Sequence, residues 1–118
     1  MAPTVTNVAI DCNDPDALAA FWGELLDMKV TSREDDWIDL ESLGPNGPVL
    51  SFQRVPEGKT VKNRVHLDVG VPDIHVAGER ARRLGASPAG EPLGNPARPF
   101  QVWHDPEGNE FCFVTQDG

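Results

Sequence analysis

Among the three histidines, His66 stands in an alternating string, Arg64-Val65-His66-Leu67-Asp68-Val69. At strand period it shares a face with Arg64 and Asp68, where it can act as general base or proton donor beside a guanidinium and a carboxylate. The plainer reading of the same three residues is a polar lining, with the imidazole sandwiched between a cation and an anion. Cys112 adds a thiol, and a Cys112–His66 nucleophilic pair is the reactive extreme, although no oxyanion donors are identifiable for it. Cys12 is the second cysteine; two without CxxC spacing make no disulfide framework, so each reads as a reduced thiol. Trp37 and Trp103 start or finish strand-like segments, where an indole can stack a flat or cationic ligand or serve as core or as a contact between copies.

The elements that must position these residues are legible from periodicity. Val5 to Cys12 alternates as a strand, with Val8, Ile10 and Cys12 on one face and Asn7, Ala9 and Asp11 on the other. Asn13 or Asp14 offers an N-cap oxygen and Pro15 suits the first helical turn, so a helix is expected from about Pro15 to Leu26. Leu18, Phe21, Trp22 and Leu25 form its buried stripe. Strands are expected over Lys29–Arg33, Trp37–Ser42 and Val49–Val55, the last two joined by the Gly44-Pro45-Asn46-Gly47-Pro48 turn.

The pattern then restarts. Val8-x-Ile10-Asp11-Cys12-x-x-Pro15-Asp16 lies over Val65-x-Leu67-Asp68-Val69-x-x-Pro72-Asp73 at a constant offset of 57, an internal repeat. A second helix, Ile74 to Leu84, has Val76, Ala77, Ala81 and Leu84 as its apolar members, leaves Arg80, Arg82 and Arg83 in solvent, and stops at Gly85. Ala86–Ala89 reads as a short strand, Gly90–Pro99 as a loop, and Phe100–His104 and Glu110–Val114 as a hairpin turned by Asp105-Pro106-Glu107-Gly108-Asn109. Gly47 and Gly108 are 61 residues apart, which places four extra residues in the Gly90–Pro99 loop. The repeated unit is β-α-β-β-β, a twisted four-stranded sheet with one helix behind it, and two such sheets can enclose a cleft. The lining of that cleft is Asn7, Ala9, Asp11, Val49, Ser51, Gln53, Arg64, His66, Asp68, Glu110, Cys112 and Val114. Val8, Ile10, Leu50, Phe52, Val65, Leu67, Phe111 and Phe113 are expected to pack on the helices.

Three strings, Asp14-Pro15-x-x-Leu18-x-x-Phe21-Trp22-x-x-Leu25-Leu26, Arg64 to Val69, and Asp105-Pro106-Glu107-Gly108-Asn109-Glu110-Phe111-Cys112, resemble the glyoxalase/bleomycin resistance/dioxygenase superfamily, also called vicinal oxygen chelate. Within it the chain is most similar to the glyoxalase-like subgroup, over about residues 4 to 115. A departure is Asp27-Met28, where relatives usually carry Gly-Trp. The resemblance implies an α+β fold of two βαβββ modules in one chain, about 4–55 and 63–115 of a single domain, with cupped mixed sheets and helices on the outer face. It also implies dimerisation, here a homodimer. Family enzymes that use a divalent ion carry His or Gln on the first strand of each module and Glu on the last. The matching positions are taken here as Asn7, Ser51, Arg64 and Cys112, three weak donors and a permanent cation that repels an ion. No metal and no other cofactor is expected.

The 118 residues, 39% hydrophobic and 25% charged, make one compact domain and exclude disorder and solenoid classes. A net charge of −9 repels phosphate backbones and anionic lipid, so neither nucleic acid nor membrane is an expected partner. No apolar run approaches the length of a membrane span and Met1-Ala2-Pro3-Thr4 is unlike a signal peptide, which points to the cytoplasm. The reading that follows is a binding protein whose metal-free cleft holds or sequesters a small organic ligand through Asn7, Trp37, Ser51, Gln53, Arg64, His66, Asp68, Trp103, Glu110 and Cys112. The alternative is a lyase or isomerase of the glyoxalase type, with His66, Arg64 and Glu110 moving protons or stabilising an oxyanion, or less directly a metal-dependent one.

Overall fold

The computed structural model describes residues 2–116 and divides into two compact units, Met1–Gly58 and Lys59–Gly118. In the first unit the order is β1 (Asn7–Cys12), α1 (Pro15–Leu26), β2 (Val30–Arg33), β3 (Trp37–Ser42) and β4 (Val49–Arg54). The strands form one mixed sheet in the order β1-β4-β3-β2, with β1 and β4 parallel and the other pairs antiparallel. A parallel pair needs a crossover, and α1 supplies the first part of it. The helix starts because the Asp14 side chain accepts from the Ala17 amide and Pro15 occupies the first turn, where its missing N–H costs nothing. Leu18, Phe21 and Trp22 are buried, Phe21 edge-on to Trp22, and the helix lies against β3 and β4 over Ile38, Leu40, Leu50 and Phe52.

The second unit repeats the plan with β5 (Leu67–Val71), α2 (Ile74–Leu84), β6 (Ser87–Pro88), β7 (Phe100–His104) and β8 (Glu110–Thr115), in the order β5-β8-β7-β6. Asp73 caps α2 through the amides of His75 and Val76, and Gly85 ends it at φ 112°, a conformation that favours glycine. The face of α2 that is buried is Ile74, Gly78 and Ala81. Val76, expected among the packed residues, is 65% exposed, because a stripe set by residue 74 recurs at 78 and 81 and leaves 76 on the outer side. The β7–β8 turn is organised by buried Asp105, which accepts from the amides of Glu107 and Asn109 and from the Asn109 side chain.

The repeat is present, but its offset is not 57. The two N-cap residues, Asp14 and Asp73, stand 59 residues apart, and the strand registers agree, since Ala9 opposes Ser51 as Asp68 opposes Cys112. Pro15-Asp16 and Pro72-Asp73 are not equivalent: Pro15 is inside its helix, whereas Pro72 precedes the cap. The offset therefore grows by two residues, not four, before the last hairpin. A second consequence concerns Arg64 and Val65, which lie at a bend ahead of β5 instead of on it. Val65 is 76% exposed and packs on no helix.

Candidate functional site

Each sheet has one face against its helix and an opposite face that carries polar residues. In the first unit the second face is built by Asn7 of β1, Trp37 and Asp39 of β3, and Ser51 of β4, brought together by the Asp39–Ser51 and Ala9–Ser51 pairings. Asn7 Nδ2 donates to Ser51 Oγ at 3.0 Å, and Ser51 Oγ donates to Asp39 Oδ1 at 2.6 Å. Trp37 Nε1 donates to the same carboxylate oxygen at 2.7 Å. Ser51 is fully buried yet fully partnered, so its hydroxyl exacts no desolvation penalty. Asp39 was not singled out from the sequence. The signal was present in its alternation with Ile38 and Leu40, which puts it on the Trp37 face. Gln53 is exposed on the same strand as Ser51, opposite Asp11 and Trp37.

In the second unit the corresponding face carries His66, Asp68, Cys112 and Glu110. His66 sits just ahead of β5, and its Nε2 lies 3.2 Å from Asp68 Oδ1. Asp68 opposes Cys112 across the parallel β5–β8 pair. One ligand atom from each of His66, Asp68 and Cys112 falls within 4.8 Å of the others. Cys112 is 8% exposed, and burial pushes its thiol pKa up, with the Asp68 carboxylate adding to the rise. Glu110 is held from the other side. Lys59 Nζ stands 3.0 Å from its Oε2, the Asn63 amide donates to the same oxygen at 3.1 Å, and the Glu110 amide donates back to Asn63 Oδ1. Burial would raise the Glu110 pKa, but the hydrogen bonds from Lys59 and Asn63 and the Lys59 charge outweigh it and leave the carboxyl below its ordinary value.

Two expected site residues are placed elsewhere. Arg64 is exposed at the bend before β5, so it does not occupy the first-strand position assigned to it; with the register corrected, His66 is the counterpart of Asn7. Trp103 is 2% exposed on the opposite, helix side of its sheet, edge-on to Phe113, with the Arg82 guanidinium 5.6 Å from its ring centroid. It is core of the second unit and not a rim aromatic. The rest of the set stays on the polar faces: Asn7, Trp37, Ser51 and Gln53 in one unit and His66, Asp68, Glu110 and Cys112 in the other.

The two faces differ in their fitness for a divalent ion. In the first, the Asn7 amide, the Ser51 hydroxyl and Asp39 Oδ1 are committed to one another. In the second, an imidazole, a carboxylate and a thiol converge, a donor set that suits a transition ion, which would supply positive charge and a Lewis acid there. Arg64, off the strand and exposed, is not one of the groups that converge there.

Two βαβββ units, each a mixed sheet backed by one helix, define a protein class by architecture and polar sheet faces. A glyoxalase-like domain model matches residues 7–114, nearly the whole chain, and the protein belongs to that family. Solved structures agree on the fold. A glyoxalase/bleomycin resistance protein/dioxygenase family enzyme from Burkholderia phytofirmans PsJN superposes with a TM-score of 0.74 at 18% identity, over 96% of this chain and 98% of that one. A glyoxalase-related enzyme from Fulvimarina pelagi gives 0.75 at 19% identity, over 98% and 89%. The fosfomycin resistance protein FosX from Mesorhizobium loti gives 0.74 at 12% identity, over 99% and 95%. A comparison with curated proteins gives no match. Among the described residues no helix is long and apolar enough to cross a membrane.

Proposed function

We propose that the chain is a small-molecule-binding protein of the glyoxalase-like family, holding a small organic ligand against the polar faces of its sheets. The observation that carries this is the segregation within each sheet. Apolar side chains such as Leu50, Phe52, Phe111 and Phe113 are spent beneath the helices, while the other face presents amide, carboxylate, imidazole and thiol groups. Placed polar groups of that kind fix the orientation of a small ligand. The similarity to a fosfomycin resistance protein adds support for a small organic ligand, and a homodimer is part of the same proposal. A thermal-shift screen of small polar and aromatic compounds at millimolar concentration tests it. A hit is expected whose shift shrinks in Asp39→Ala or His66→Ala, and the absence of any hit, or hits indifferent to both variants, overturns it.

A second reading, a lyase or isomerase, is favoured by the His66–Asp68 contact, because a carboxylate beside an imidazole orients the ring for proton transfer. Turnover of a hit compound that disappears in a folded His66→Ala variant would select this reading over simple binding.

A further inference from the structure

We propose that the outer, helix side of the second unit carries a binding groove for a small zwitterion of the α-amino acid kind, built between α2, β7 and the loop that joins β6 to β7. The groove has a volume of about 390 Å³, and its lining includes Gly78, Glu79 and Arg82 of α2, Glu91 of the loop, and Gln101 and Trp103 of β7. It lies behind the sheet, on the side opposite Asp68 and Cys112, and is separate from the polar face.

Trp103 singles the groove out. Its side chain is 2% exposed, and among the described residues its Nε1 is a buried donor without an acceptor. Buried donors in that condition are rare. The N–H edge faces α2 where the helix lacks a side chain, since a Cβ at Gly78 would come within 2.7 Å of Cζ2 and 3.6 Å of Cε2, the carbon bonded to Nε1. In the first unit α1 lies over Ile38, Leu40, Leu50 and Phe52, none of which has a polar side-chain atom to satisfy.

The remaining walls fix the charge of the ligand. The Arg82 guanidinium stands 5.6 Å from the Trp103 ring centroid, and among the described residues it makes no ion pair. A guanidinium over a ring face keeps its in-plane N–H groups for a carboxylate, so Arg82 and Nε1 together make one acceptor-binding end. Glu79 and Glu91 are exposed carboxylates on the helix wall and the loop wall. A simple anion would suit Arg82 and Nε1 but meet both carboxylates. A simple amine would suit the carboxylates but meet Arg82 and leave Nε1 unpaired. A carboxylate and an ammonium on one molecule answer both kinds of group. The loop wall is already held in place: the Ala89 amide donates to the Val102 carbonyl at 2.9 Å, Gln101 Nε2 donates to the Gly90 carbonyl at 2.7 Å, and Leu93 bridges to Phe100. Glu91 sits between these fixed points, which lowers the ordering cost of binding.

Titration of isotope-labelled protein with L-leucine, and with L-phenylalanine as a second probe, tests the proposal by nuclear magnetic resonance. Trp103→Phe keeps an aromatic ring, deletes the N–H and assigns the Trp103 indole signal. That signal is expected to shift saturably at millimolar amino acid, while the indole of Trp37, bonded to Asp39 on the polar face of the first unit, stays put. Followed at the Gly78 and Glu79 amides, affinity for leucine should fall about ten- to a hundredfold in Trp103→Phe and in Arg82→Gln, as loss of a hydrogen bond to a charged group requires. Isoamylamine, which lacks the carboxylate, and isocaproate, which lacks the ammonium, should each bind at least about tenfold more weakly than leucine. No movement of the Trp103 indole up to tens of millimolar, affinity unchanged in Arg82→Gln, or isocaproate binding as well as leucine would overturn the proposal. Arg82 is exposed, so Arg82→Gln carries the test should Trp103→Phe not fold. The groove and the polar faces can fail separately, because a compound that moves Trp37 alone speaks for the polar face and against the groove.

Discussion

Asp39 shows how much one side chain can organise. A single oxygen of its carboxylate accepts from the Trp37 indole and from the buried Ser51 hydroxyl, which in turn accepts from Asn7. Removal of the carboxylate strands two donors in places where water is scarce, and an unsatisfied buried donor costs about 1–3 kcal/mol. Asp39→Ala is therefore expected to lower unfolding free energy in urea by about 2 kcal/mol, with Asp39→Asn, which keeps an acceptor oxygen, losing roughly half as much. Equal stability of wild type and Asp39→Ala would show that the chain Asn7–Ser51–Asp39–Trp37 contributes nothing to the sheet. His66 and Asp68 contrast with it. Their side chains are 47% and 57% exposed, so their pairing is worth little to stability and is available to a ligand.

At the scale of elements, helix geometry decides the sign of two substitutions. Glycine inside a helix ordinarily costs about 0.5–1 kcal/mol relative to alanine, so Gly78→Ala would stabilise an exposed helix. Here a Cβ at position 78 would come within 2.7 Å of Trp103 Cζ2, and the indole is clamped under α2 by Phe113 and Arg82. Overpacking of that kind costs about 1–3 kcal/mol, so Gly78→Ala should destabilise the protein in chemical denaturation despite its better helix propensity. The end of α1 offers the opposite case. Asp27 takes the left-handed conformation at φ 55°, where its amide bonds the Gly23 carbonyl. An L-residue there bears about 1–2 kcal/mol of strain, reduced for Asp, so Asp27→Gly is expected to raise the thermal midpoint by a few degrees, corresponding to about 0.5–1 kcal/mol. A fall in the midpoint would mean that the added unfolded-state freedom of glycine outweighs the relief. The elements themselves were legible in the sequence because capping and alternation are local: Pro15–Leu26, Ile74–Leu84 and Trp37–Ser42 are found with the bounds expected. Register was less legible. It depends on which residues pair across strands far apart in sequence, and the Pro-Asp match hid a shift of two that carried Arg64 off the strand and put His66 in its place. Trp103 was ambiguous for a related reason, since an aromatic at a strand end reads as rim or core until the small residue beneath it, Gly78, is known. Lys59 and Asn63 lie in an irregular segment with no periodic signal, so their hold on Glu110 had no sequence signature.

At the scale of the molecule, nineteen carboxylates face ten lysines and arginines, and the excess of nine negative charges opposes compaction. Local ion pairs pull the other way. Arg33–Asp16 and Arg54–Asp36 are exposed, however, and pairs of that kind contribute only about 0–1 kcal/mol each. Raising salt from 10 to 150 mM shortens the screening length from about 30 to about 8 Å, which weakens repulsion summed over the whole surface more than it weakens contacts at bonding distance. The thermal midpoint is therefore expected to rise with NaCl over that range, by a few degrees, and to level off beyond it. A midpoint that falls with salt would show that the attractive pairs dominate. The same field bears on partners. A surface of this sign turns polyanions away, so a labelled DNA duplex should show no binding at 150 mM salt.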